Sequence, residues 1–209
     1  MKIIDVKSLA IEDIKVLRYQ KFSDDRGYFA ETFRQTDIEE NENCDFLHGV
    51  KFNQFNESYS KGNTLRGLHF QWNPYMAKLV RCISGRLIDL ALDIRHDSST
   101  YGKVIAYELN NTTEIGEWIW LPVGFAHGIY LAEDSIIEYI CTGMWNPKGE
   151  LAISPYSTDI DWSLNSLALQ NLLTNILKSN VNISEKDRSG ISLAEWATYR
   201  ESSLFKYGE

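Results

Sequence analysis

Two of the chain's four histidines (His48, His69, His96 and His127) sit where an imidazole could do acid–base chemistry. His69 lies in LRGLHFQ, three residues after Arg66. On an extended strand alternate side chains share a face, so Gly67, His69 and Gln71 would point one way. With a carboxylate nearby, an imidazole there could act as a general base near neutral pH. His127 lies in LPVGFAHG, which reads as a Gly-flanked turn between two strands. Tyr139, in IIEYICTG, falls on a strand. The same spacing is also met by bland roles: hydrogen-bonded core or loop histidines, and a packing tyrosine.

A catalytic metal is not expected. Such a site needs two or three His plus a carboxylate, and the chain has neither H-x-H nor H-x-x-x-H. Anion binding has more to work with. Arg26 in DDRGYF, Arg66 in LRGLH, Lys78 in YMAKLV and Lys186 in ISEKD are the residue types that match phosphate oxygens. No glycine-rich phosphate loop is present, so side chains would have to hold the phosphates. Solvated surface charge is the other reading of these four. Spacing alone therefore gives a possible basic pocket and no reaction.

The elements that must position these residues are mostly strands. IKVLRYQKF, GYFAETF, DFLHGVKFNQFNES, AKLVRCIS, RLIDLALDIR, GKVIAYEL, EWIWLPV and SIIEYICTG are short, rich in β-branched and aromatic residues, and separated by turn signals. In RLIDLALDIR, Ile88, Leu90, Leu92 and Ile94 share one face and Asp89 and Asp93 the other. About eight strands between residues 14 and 162 suggest an all-β sandwich or double-sheet jelly roll. After Trp162 the pattern changes. LNSLALQNLLTNILKS places Leu169, Leu172, Leu173, Ile176 and Leu177 at helical spacing, predicting a helix near 164–179 that packs on the barrel. Ser192 and Glu195 are in capping-box spacing and predict a helical tail near 192–206.

Bulk composition fits one domain spanning 1–209. Hydrophobic residues are 44% and aromatics 12%, which excludes intrinsic disorder. A net charge of -8 argues against nucleic-acid and anionic-membrane partners. No apolar run approaches the roughly 20 residues that span a bilayer. The N-terminal stretch does not read as a secretory signal. Three cysteines without C-x-x-C spacing fit a reducing cytoplasm better than a disulfide framework.

Six motifs in order resemble one family: FSDDRGYFAETF, FNQFNESYSKGNTLRGLHFQ, AKLVRCISGRLIDLALDIRHDSSTYGK, WLPVGFAHGIY, EYICTGMWNP and ISEKD. Together, from about residue 14 to 187, they resemble the dTDP-4-dehydrorhamnose 3,5-epimerase family of cupin-like enzymes. The resemblance implies a homodimer, free of cofactor and metal, that inverts C3 and C5 of a nucleotide-diphospho-4-keto-6-deoxy sugar. It implies His69 as base, Tyr139 as acid on the opposite ring face, and Asp187 as the carboxylate that orients His69, with Asp89 a second candidate. Lys78 would stand near the keto oxygen. Arg26, Phe29, Glu31, Gln54, Asn56, Arg66, His127, Glu150 and Lys186 would form the binding shell, with some N-terminal contacts reaching across the dimer. Trp145 stands where the family usually stacks a tyrosine on thymine. Also open are another base or sugar, inversion at a single carbon, a 3,4-ketoisomerase, and a non-catalytic sugar-nucleotide binding barrel.

Overall fold

The computed structural model describes residues 1–208. Thirteen strands are formed: β1 (Ile3–Ser8), β2 (Lys15–Gln20), β3 (Phe22–Asp24), β4 (Gly27–Phe29), β5 (Gln54–Ser60), β6 (Thr64–Gln71), β7 (Lys78–Ser84), β8 (Leu87–Asp93), β9 (Val104–Glu108), β10 (Ile115–Leu121), β11 (Phe125–Leu131), β12 (Ser135–Cys141) and β13 (Glu150–Ala152). Two antiparallel sheets face each other, in the orders β1-β2-β10-β7-β12-β5 and β13-β6-β11-β8-β9. β3 and β4 make a separate hairpin. The expected double-sheet, all-β architecture is what forms.

Three apolar layers hold the sheets. Val80, Ile119, Leu121 and Ile137 of the six-stranded sheet meet Leu87, Ala91, Phe125 and Ile129 of the five-stranded one, filling the space between. The outer face of the five-stranded sheet carries Leu68, Phe70, Ile88, Leu90 and Leu92. It is covered by helix α2 (Leu167–Lys178), through Leu173 and Ile176, and by Trp196 and Phe205 of the tail. Ser166 caps α2 by accepting the Leu169 N–H. The expected helix thus forms and packs on the barrel, although Leu172, counted on its apolar face, is exposed.

Two expectations need correction. DFLHGVKF is not strand. Its first three residues end a 3-10 helix (Glu42–Leu47), which together with helix α1 (Gln35–Glu39) covers Trp118 and Trp120 on the outer face of the six-stranded sheet through Ile38, Cys44 and Leu47. Its aromatic and aliphatic content served that packing, not a ladder. In GYFAETF only Gly27–Phe29 pairs as strand. β8 is buried on both faces, so the face carrying Asp89 and Asp93 is interior as well. The tail near 192–206 is two short turns, α4 (Leu193–Trp196) and a 3-10 helix (Arg200–Leu204), with Ser192 accepting the Glu195 N–H as the capping spacing predicts. β1 and α3 (Glu185–Arg188) had no sequence expectation as regular elements. No helix among the described residues is long and apolar enough to cross a membrane.

Candidate active site

His127 is on strand β11, not in a turn, and lies directly opposite His69 on β6. The next matched pair is Ile129 with Arg66, so two steps along β11 face three along β6. That bulge re-aims the strand. Arg66 and His69 are an odd number of residues apart, yet both line the cleft between the sheets. The extra residue is Gly67, at φ +104. A Cβ there would lie 2.5 Å from the His127 carbonyl oxygen and 2.6 Å from the Gly128 Cα. Both neighbours are backbone and cannot swing away. Gly67→Ala is therefore expected to destabilise by about 3 kcal/mol or more, from left-handed strain plus overpacking. In thermal denaturation that is a Tm drop of roughly 6–12 °C. An unchanged Tm would refute the close approach.

Asp187 comes from the distant α3, whose Ser184 cap accepts the Asp187 N–H. Its carboxylate lies with Oδ1 2.7 Å from His69 Nε2, and Oδ2 accepts the Gly67 N–H at 3.0 Å. Burial alone would raise this carboxyl, but the bond and charge of His69 and the Gly67 N–H hold it below the usual carboxylate range. An ionised carboxylate only accepts, so the His69 nitrogen facing it carries the proton; in the neutral ring the other nitrogen then holds the lone pair. Asp89 is not the partner of His69. It lies 2.7 Å from His127 Nε2 instead, because β8 and β11 are neighbours and β8 does not touch β6 in the ladder. Burial lowers the His127 pKa despite Asp89, so this ring is neutral at pH 7.

The opposite sheet supplies the rest of the cleft. Tyr139 on β12 pairs with Asn56 on β5, and Cys141 pairs with Gln54 on one side and Lys78 of β7 on the other. Period 2 then turns Gln54, Asn56, Ser58, Tyr139, Cys141 and Lys78 to one interior face. His69, Lys78 and Tyr139 line two adjoining compartments, of about 550 and 720 Å³. Lys78 Nζ and the Tyr139 hydroxyl bond no group among the described residues. Arg66 donates Nε–H to Ser60 Oγ and leaves its other nitrogens open to the cleft. Burial lowers the Lys78 pKa, while Cys141, Glu150 and Asp89 oppose the shift. Burial raises the Tyr139 pKa, with Arg66 opposing, so the phenol is protonated at neutral pH.

At the mouth, the Trp145 N–H donates to Gln54 Oε1 and its indole N–H to Glu150 Oε2. Lys186 is exposed and donates to the same Glu150 oxygen at 3.0 Å. Arg26, Phe29 and Glu31 are not brought to the cleft. Arg26 is 90% exposed on the β3–β4 turn and paired with Asp24. Phe29 is exposed on the same hairpin, and Glu31 pairs with Arg34 and with the Met1 ammonium. Of the four cations expected to gather, only Arg66 and Lys78 line the cleft. Sequence reasoning passed over Ser58, Met76 and Cys141, which also line it. Ser58 and Cys141 were discoverable, since each lies two residues beyond a named site residue on the same strand.

Residues 8–195 match the family model for dTDP-4-dehydrorhamnose 3,5-epimerase. The chain belongs to that family. A dTDP-4-dehydrorhamnose 3,5-epimerase of Sinorhizobium fredii is 39% identical over 198 residues, covering 90% of this chain and 89% of the relative. One from Methanothermobacter thermautotrophicus is 35% identical, covering 91% of each chain. Among solved structures, the dTDP-6-deoxy-D-glucose-3,5-epimerase of Legionella pneumophila, in complex with dTDP-4-keto-L-rhamnose, superposes with a TM-score of 0.75 at 30% identity. It covers 91% of this chain and 93% of its own. The barrel is thus the cupin-like barrel of these epimerases, and the chain is an isomerase of that family.

Proposed function

We propose that the chain epimerises a dTDP-linked 4-keto-6-deoxy sugar, with His69 as base and Tyr139 as acid. The observation that carries this reading is their placement on opposite sheets with both side chains lining one cleft. A hydrogen on the carbon beside a ketone is acidic because its removal gives an enolate. Inversion needs the proton taken from one ring face and returned to the other. His69, oriented by Asp187, takes it through its free nitrogen. The neutral Tyr139 returns one from across the cleft. Lys78 faces the developing enolate oxygen and stabilises its charge. Arg66 and His127 hold the diphosphate end and the sugar, and Gln54, Asn56, Trp145, Glu150 and Lys186 form the nucleoside end. Arg26, Phe29 and Glu31 lie off this cleft. Their hairpin, with exposed Phe22, Tyr28 and Phe29, suits a homodimer in which they serve the partner's cleft.

The direct test is NMR of dTDP-4-keto-6-deoxyglucose with the protein in heavy water. Deuterium is expected at C3 and C5, with inversion. No incorporation at either carbon would sink the assignment, and incorporation at one carbon would mark a mono-epimerase.

Lys78 makes a pH prediction. Stabilising an enolate requires the cation, so activity is expected to fall as pH rises through a Lys78 pKa lowered from the ordinary value of about 10.4. Between those two values the unfolded chain binds more protons than the folded one, so stability rises with pH while activity falls. Lys78→Met is expected to be slow at every pH and to lack this alkaline limb in its kcat profile. A variant that kept the limb would assign it to another group.

A further inference from the structure

The family match ends at residue 195, yet the chain beyond it is anchored on the barrel. The His96 N–H donates to the Phe205 carbonyl and the Tyr207 N–H to the His96 carbonyl, at 2.6 and 3.1 Å. The Arg95 guanidinium stacks on the Tyr207 ring at 4.9 Å. Phe205 is buried against Trp196 and Phe70. The segment also touches the link from β6 to β7. There Tyr75 packs edge-on against Phe205 at 5.6 Å, and its hydroxyl donates to the Leu204 carbonyl at 3.3 Å. The next residue, Met76, lines both the His69 end and the Trp145 end of the cleft. On its other side Ala77 is pinned twice to Thr142, its N–H donating to Oγ1 and its carbonyl accepting the Thr142 N–H.

Met76 is thus a cleft wall between Ala77, which Thr142 holds just past β12, and Tyr75, which the C-terminal segment holds; Gln71 Nε2 also donates to the Pro74 carbonyl earlier in the link. We infer that residues 200–207 form a strap that positions the Met76 wall of the substrate cleft, acting through Tyr75 and Phe205. Neither residue lines the two compartments that hold His69, Lys78 and Tyr139 together. Both are positioning residues, and the assignment rests on reading that cleft as the substrate site. Lys78 is held in the β7 ladder between Leu121 and Cys141, so it keeps its place when the strap lets go. The effect should fall on substrate binding and not on the chemical step.

The test uses full-length Tyr75→Ala, Phe205→Ala and their double variant, with Tyr75→Phe as the conservative control. Tyr75 is partly exposed, so its truncation preserves the fold even where Phe205→Ala lowers Tm. Amide exchange over residues 72–77 is expected to speed about tenfold in Tyr75→Ala, with residues 88–93 unchanged. KM is expected to rise about tenfold at similar kcat, and the double variant to do little more, since both cut one coupling. Tyr75→Phe keeps the ring packing and should restore most of the KM. Unchanged exchange over 72–77 overturns the strap. Faster exchange with unchanged KM overturns its service to the cleft. A wild type that turns over no keto sugar defeats the functional reading, and the Kd for thymidine diphosphate then replaces KM as the second readout.

Discussion

His69→Ala is expected to abolish deuterium incorporation at every carbon of the keto sugar, lowering kcat by roughly 10²–10⁴-fold. The loss is large because nothing else in the cleft can replace the base. His127, the nearest imidazole in the ladder, has the same kind of carboxylate partner in Asp89, but burial lowers its pKa and makes it the weaker base. Glu150 lines the cleft too, yet it already accepts from Trp145 and Lys186. Binding should survive, since Arg66, Gln54 and Trp145 are untouched, so thymidine diphosphate affinity is the control that separates lost chemistry from lost fold. The variant should also show a weaker acid limb in stability. In the wild type the lowered Asp187 carboxyl contributes stability that is complete above the unfolded carboxylate value of about 3.9. That contribution is lost as pH falls through the lower folded value. Without His69, the largest interaction lowering Asp187 is gone and the limb flattens, which urea titration at several pH values can read. Normal exchange in His69→Ala would remove it from the role of base.

Tyr139→Phe is expected to separate exchange from inversion. The base still abstracts the proton and can return a solvent deuteron to the same ring face, so deuterium should enter with retained configuration. Net epimerisation should fall by roughly 10²-fold or more, the scale of a lost general acid. The fold should be nearly unchanged, because the ring stays packed against the interior layer and the hydroxyl bonds nothing among the described residues. NMR reports label and configuration in one spectrum. Inversion at the wild-type rate would show that the second proton comes from elsewhere in the cleft.

Much of this site was readable before the fold was known, for reasons that differ by residue. Gln54 with Asn56, and Tyr139 with Cys141, follow from strand period 2, which holds wherever a ladder is regular. His69 with Arg66 does not, because the bulge at Gly67 breaks that period and only the pairing with β11 reveals it. The Asp187–His69 pair spans 118 residues, and spacing says nothing about such a contact. The choice between Asp187 and Asp89 was decided by strand order. β8 lies beyond β11, so Asp89 meets His127 first. Arg26, Phe29 and Glu31 were grouped with the cleft by resemblance, and their hairpin stands apart from it.

The sequence by itself determined most of the barrel's element types, the acid–base residue types and the charge balance. Those are local properties, set by side-chain chemistry and by the alternation of a strand. Only the tertiary structure decided that His69 and Tyr139 stand on opposite sheets, that Gly67 lets Arg66 and His69 share a face, and that His69 and His127 each have their own carboxylate. These depend on strand order, register and a bulge, which are set by pairings between residues far apart in the chain. No local pattern encodes such pairings.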